Sequence, residues 1–241
     1  MAPVNDYTPL AGYEPVMDMA IRETLFKTGV TAEQLRDGSL DISSSSNWPG
    51  FQFVLLMHDG ERARAMSFWR NRRLLDNFVE RYQAGNLDYV AKLDPNNPWR
   101  TGVESRNTGQ SDIHVVDATM PALDGEVVIW SPRGAVRICE IRDVPDVERL
   151  RQWWPMIASP AVPDSLLQVS GFQFFTAVQY PDNCYTTYLG FSSRAHLDAY
   201  LMSELHSAHD GPFADPEFQR QIDVTVHTGE LIAWFQRQVI R

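Results

Sequence analysis

The residues best equipped for chemistry stand close together near the C-terminal end of the chain. They are Tyr200, His206 and His209, within the run from Phe191 through Leu197 to Ala208 and His209. Histidine titrates near working pH, so a pair three positions apart at a helix end suits a general base or proton shuttle. Histidines at helix ends also simply cap the last carbonyls. Tyr200 suits a hydrogen bond to a substrate carbonyl or phenol, and equally suits packing. A metal held by His206, His209 and Asp210 would lack a fourth ligand, so no metal site is expected.

A second group of residues has the character of substrate contacts. Gln52 and Gln173 each lie between two phenylalanines in mid-strand, where a buried amide must find partners, in a ligand or at the strand end. His58 lies further along the strand and is expected to face the same compartment as Gln52. Phe175, and Trp99 on a long loop, complete the set. Arg62 and Arg64 share a strand face and suit either a bidentate carboxylate clamp or a solvated hairpin. No Gly-rich phosphate loop, nucleophile elbow or paired-carboxylate pattern is present, so no nucleotide cofactor is expected.

The elements that must position these residues are written twice. Gly50-Phe51-Gln52-Phe53 recurs as Gly171-Phe172-Gln173-Phe174, 121 positions later. Trp69, Arg72, Leu75, Asp76 and Phe78 recur as Phe191, Arg194, Leu197, Asp198 and Tyr200, 122 positions on. Ile21-Arg22-Glu23 is matched to Ile141-Arg142-Asp143, and Gly125 to Trp130 is matched to Gly229 to Trp234. Three nearly constant offsets of 120 to 122, with the last match fallen to 104, point to a tandem duplication.

Within the second copy the periodicity alternates in a definite order. Val136 to Ile141 reads as a strand, Asp146 opens an amphipathic helix, and Phe172 to Tyr180 with Tyr185 to Phe191 read as a hairpin. Ser192 or Ser193 then caps a helix with Leu197, Tyr200, Leu201 and Leu205 on one face, and Leu231 to Phe235 closes the unit. This is βαββαβ, a ferredoxin-like module. The strands are apolar on both faces, with Phe172, Phe174 and Val178 opposed to Phe175 and Ala177. The open face of each sheet therefore needs the other as its cover. The expected fold is α+β: two tandem modules, 1–134 and 135–241, whose antiparallel sheets pack face to face into one barrel. A ligand cavity is expected between them. The first module carries an N-terminal extension and a long loop over 84–124, a candidate lid or partner surface.

Composition fits a globular chain able to bury a large core: 44% hydrophobic and 22% charged over 241 residues. The net charge of −10 repels phosphate backbones and anionic surfaces, which argues against nucleic acid and membrane partners. Two cysteines without metal-type spacing suit a reduced, cytoplasmic protein, monomeric or homodimeric.

The chain resembles the dimeric α+β barrel superfamily, which includes antibiotic-biosynthesis monooxygenases, stress-responsive barrels, polyketide cyclases and heme-degrading oxygenases. The architecture carries most of the resemblance; the sequence motif is the helix with Tyr200 and His206 at Tyr-x5-His spacing. The resemblance implies that Tyr200 binds and His206 acts as base on an aromatic or polyketide-like molecule, by oxygenation or cyclisation-type proton transfer without a cofactor. Ala208-His209 approximates the Ala-His of the heme-degrading branch, which implies heme as an alternative. A non-catalytic ligand-binding barrel is the second alternative. The first copy departs from the motif, with Phe78, Ala84 and Leu87 at the positions of Tyr200, His206 and His209. Chemistry is therefore expected in the second half.

Overall fold

The computed structural model describes residues 19–84, 95–116, 128–150 and 165–236, apart from 32, 36, 39–49, 59, 131–133, 145, 147, 149, 182, 210–215 and 221. Module one comprises strands β1 (Ala20–Phe26), β2 (Phe51–His58) and β3 (Ala63–Trp69), helices α1 (Arg72–Gln83) and α2 (Pro98–Thr101), and strand β4 (Val103–Val116). A short strand β5 (Val128–Trp130) precedes module two. There β6 (Gly134–Arg142), β7 (Phe172–Tyr180) and β8 (Cys184–Phe191) are followed by α3 (Arg194–Leu201), α4 (Glu204–His209), α5 (Pro216–Gln219) and β9 (Asp223–Gln236).

The sheet runs β2-β3-β1-β4-β7-β8-β6-β9-β5, and β2 also pairs with β9. Leaving aside β5, the ring closes: each half contributes the same strand order, and the halves join edge to edge through β4–β7 and β2–β9. The two sheets face one another as expected, but it is their edges that bind them, so no ring strand exposes an unpaired edge along its whole length. Every neighbouring pair in the ring is antiparallel. Directions therefore alternate, β2 and β7 run the same way, and both hairpins lie at one end of the barrel.

The period of two along each strand sorts side chains inside or outside. Ile21, Leu55, Met57, Met66, Phe68, Val136, Ile138, Phe174, Val178 and Tyr188 are fully buried in one cluster drawn from both modules, which fills the interior. Burial of each large side chain here stabilises the fold by roughly 1.5–3 kcal/mol. Both modules thus contribute to one packed core in the barrel interior. The helices cover the outer faces. Phe172, Phe175, Leu189, Phe191, Leu197 and Tyr200 form the outer cluster of module two. Trp69 and Leu75 pack with Ala20, Phe51 and Phe78 at the corresponding place in module one.

Three sequence expectations change. The loop assigned to 84–124 contains β4, the closing strand of module one; residues 85–94 and 117–124 lie outside the described residues. The register also corrects the repeat. Ala20 pairs with Trp69 as Ala135 pairs with Phe191, so Ile21 corresponds to Val136 rather than Ile141. Ile21 pairs with Gly109 as Val136 pairs with Gly229, so the counterpart of Gly229 is Gly109. Trp130, matched by sequence to Trp234, is its cross-strand partner instead. Finally, a bulge between Phe172 and Phe174 turns Phe172 to the helix side with Phe175; module one has the same bulge between Phe51 and Phe53. Among the described residues no helix is long and apolar enough to cross a membrane.

Candidate active site

The strand-to-helix junction that carries the site is built the same way in both modules. Gly171 (φ 77°) and Gly50 (φ 83°) occupy left-handed conformations just before the bulged strands. A Cβ on Gly171 would lie 2.2 Å from His196 Nδ1, and one on Gly50 would lie 2.4 Å from Leu74 Cδ1. Glycine meets both demands. The Gly171 carbonyl accepts from the Ser192 amide at 2.7 Å, as Gly50 accepts from Arg70 at 2.8 Å. Ser193 caps α3 by accepting from the His196 amide at 3.2 Å, and Asn71 caps α1 by accepting from Leu74 at 3.0 Å.

Beyond this point the modules diverge. The sequence suggested one continuous helix through His209, but the helix stops at Met202 and restarts at Glu204. Ser203 accounts for both events. Its hydroxyl donates to the Tyr200 carbonyl at 2.6 Å and accepts from the His206 amide at 3.1 Å, closing α3 and opening α4. The break matters geometrically. At about 100° per residue, nine positions amount to about half a turn from facing, so an unbroken helix would point Tyr200 and His209 to opposite sides. With the break, Tyr200 Oη and His209 Nδ1 are 2.7 Å apart. His209 Nε2 is 3.1 Å from Ser165 Oγ, completing a chain of three hydrogen-bonding side chains. The ring of His206 meets that of Tyr200 edge-on, with centroids 5.2 Å apart. Tyr200 and His209 are buried, while Ser165 and His206 are partly exposed, so the cluster reaches the surface at those two residues.

The structure therefore brings Tyr200, His206 and His209 together, with Phe175 and Phe191 in the surrounding apolar cluster. It places them between helix and sheet on the outside of the barrel, because the buried face of α3 packs against the outer sheet face. Ser165 had no signal in the sequence: it lies across a long connection and is identified only by contact. Gln173 is 5% exposed in the β7 bulge. Gln52 occupies the equivalent bulge, and its side chain lies outside the described residues. His58 does not share the interior with Leu55 and Met57. It shares the outer face with Leu56, and its Nδ1 accepts from the Gly60 amide at 3.1 Å. Trp99 is likewise away from the cluster. It packs edge-on to Phe26 at 5.1 Å and donates from Nε1 to the Leu35 carbonyl at 3.2 Å, which makes it part of the outer core of module one. Asp210 lies outside the described residues, among which no group of three His, Cys, Asp or Glu is placed to hold a metal ion.

A second polar group, also unseen in the sequence, lies inside the barrel at the hairpin end. Arg64 donates to Glu23 at 3.3 Å and to Glu140, Tyr188 donates to Glu23 at 2.8 Å, and Tyr180 Oη is 3.5 Å from Tyr188 Oη. Arg64 and Glu23 come from module one, and the rest from module two. Burial alone would lower the guanidinium pKa, but Tyr188, Glu23 and Glu140 outweigh it and hold Arg64 above its ordinary value. Burial, followed by the charge of Glu23, pushes both tyrosines well above theirs. Arg64 is thus neither a solvated hairpin residue nor an open clamp for substrate: its carboxylates are the protein's own.

No protein-family model matches the chain, and no curated protein matches it. Among solved structures it is similar to an anthrone oxidase-like protein, with 15% identity over 92% of this chain and 95% of that one and a TM-score of 0.54. A candidate monooxygenase from Fusobacterium nucleatum has 9% identity over 93% and 97%, with a TM-score of 0.60. A major regulator of staphylococcal pathogenesis has 9% identity over 88% and 99%, with a TM-score of 0.50. The last shows that the architecture also serves a regulator, so function must be argued from the site. The chain has the ferredoxin-like α+β fold of these monooxygenase-like proteins.

Proposed function

We propose that this protein is a small oxygenase that activates an aromatic or polyketide-like substrate by deprotonation, without a bound cofactor. The observation that carries this reading is the Tyr200–His209–Ser165 chain, in which a buried phenol is hydrogen-bonded to an imidazole. Such a pair moves a proton within an apolar surround, where charge interactions are stronger than in water. An anthrone-type substrate suits it, since loss of one ring C–H proton yields a stabilised carbanion. The proton passes to Tyr200 Oη while the phenolic proton passes to His209 Nδ1. The carbanion forms a C–O bond to dioxygen, and the resulting hydroperoxide loses water to leave a quinone carbonyl. One dioxygen is consumed per quinone and water formed.

The assignment moves the working base from His206 to the Tyr200–His209 pair, with His206 in contact with the tyrosine ring. Heme is poorly served by the same residues. Both ring nitrogens of His209 are engaged, and His206 Nε2 is buried.

The test is oxygen uptake with anthrone and related phenols, for the wild-type protein and His209→Gln. Turnover that falls by about 10²-fold or more in the variant supports the reading. Turnover indifferent to His209, or a Soret band that saturates on titration with hemin, would sink it.

A further inference from the structure

We infer that Ser165 is a positioning residue that fixes the tautomer of His209, and with it the direction in which the relay runs; the inference rests on the proton-transfer reading above. A neutral imidazole has one N–H and one lone pair, so its two hydroxyl partners must play opposite roles. A phenol is a much stronger acid than either an imidazole N–H or an alcohol. The Tyr200 hydroxyl therefore donates to Nδ1, across the shorter of the two contacts at 2.7 Å. That leaves Nε2–H to donate to Ser165 Oγ at 3.1 Å, within the ordinary range for an N–H···O bond.

The serine is well placed to hold that role. It stands in the helical turn 165–167, its carbonyl accepts from the Gln168 amide at 3.3 Å, and the next side chain, Leu166, is fully buried in the outer core of module two. Its position is thus tied to the same packing that positions Tyr200. When the phenolic proton moves to Nδ1, the imidazolium keeps its Nε2–H on the serine oxygen. That bond favours the charged ring, and Ser165 itself neither gains nor loses a proton. Without the hydroxyl, Nε2–H loses its acceptor, and the lone pair is no longer held toward Tyr200.

The experiment uses full-length protein labelled with 15N-histidine, free of substrate. Long-range proton–nitrogen spectra are expected to show His209 with a protonated Nε2 and an unprotonated Nδ1, in the wild type and in Ser165→Thr. In Ser165→Ala that single tautomer is expected to give way to a mixture or to the Nδ1–H form. In turnover with anthrone, Ser165→Ala is expected to lower kcat about 10- to 100-fold with little change in KM. Its acidic limb is expected to shift to lower pH, and the threonine variant to restore both. A wild-type His209 protonated on Nδ1 overturns the inference whether or not the alanine variant folds. So does an alanine variant with the wild-type tautomer and pH profile. Absence of turnover with the tautomer behaviour intact would count against the proposed reaction and leave the hold of Ser165 on His209 supported.

Discussion

In module one the helix after the hairpin, α1, runs unbroken from Arg72 to Gln83; in module two the equivalent stretch breaks at Met202 and restarts at Glu204. The start of the two helices is otherwise shared in detail. Both follow a left-handed glycine, both have a polar N-cap, and both carry an Arg–Asp pair four apart at 2.8 Å, Arg72–Asp76 and Arg194–Asp198. The divergence begins one face later, where Phe78 stacks on Trp69 at 4.6 Å while Tyr200 stacks on Phe191 at 5.3 Å and bonds His209. The common frame sets where a helix starts and what it packs against. The Tyr200–His209 contact depends on one serine, Ser203, that ends the helix early. Module one covers the same ground with Arg22 over the rings of Phe78 and Tyr82, at 5.6 and 5.4 Å, a packing solution with no base in it.

The comparison is broken most severely by a residue the modules share. Arg64 of module one holds carboxylates from both halves, so Arg64→Met leaves two buried carboxylates without their shared cation, Glu23 on the Tyr188 hydroxyl and Glu140 on the exposed Arg142. A loss of about 3–5 kcal/mol is expected in urea unfolding. Neutralising both carboxylates in the same background, with Glu23→Gln and Glu140→Gln, is expected to recover much of it. Additive losses would mean that the network does not join the modules.

The glycine pair comes next. Gly171→Ala and Gly50→Ala each force a side chain into a left-handed position and into a neighbouring side chain, so each is expected to destabilise by about 1–3 kcal/mol. If the frame is shared, calorimetry should show similar costs for the two. Only Gly171→Ala is expected to reduce turnover, because its clash with His196 falls on the helix that carries Tyr200. Equal loss of turnover in both would deny the separation of frame and chemistry.

A smaller, pH-dependent effect sharpens the picture of the interior. Tyr180 and Tyr188 are held above the ordinary value of 10.0 in the folded state. The folded protein therefore keeps protons that the unfolded chain releases above that pH. Their contribution to stability is fully present below pH 10 and is lost as pH rises beyond it. Alkaline difference spectra should show these two tyrosines ionising only as the protein unfolds. Tyr188→Phe should flatten the decline in Tm over the same range; an unchanged decline would place the cause elsewhere.

Much of this frame is legible in the residues. The alternation around Val136, the caps at Asp146 and Ser193, and the Gly-Phe-Gln-Phe repeat give the element order and the barrel. β4 is not legible because Glu104, Ser105, Arg106 and Asn107 are exposed and polar, so no apolar period marks the strand. The apolar stretch ending at Trp130 resembles β9 more closely and draws the match instead. Phe172 is assigned to the wrong face because a bulge shifts the period by one, and nothing in Gly-Phe-Gln-Phe announces a bulge. The site is half legible. Tyr200, His206 and His209 are visible as residue types, but their meeting depends on a break made by side chain–backbone bonds at Ser203. Ser165 and the Glu23–Arg64–Glu140 network depend on contacts between distant parts of the chain, which local spacing does not encode.

The most direct test of the central claim exchanges the hydroxyl that distinguishes Tyr200 from Phe78. Oxygen uptake with anthrone is measured for Tyr200→Phe and Phe78→Tyr beside the wild type. Tyr200→Phe is expected to lower kcat by about 10²-fold or more, while costing only about 1 kcal/mol of stability from one lost hydrogen bond. Phe78→Tyr is expected to leave turnover unchanged, since α1 runs unbroken over Arg72–Gln83 and brings no base to it among the described residues. Full activity in Tyr200→Phe, or equal losses in the two variants, would contradict the account.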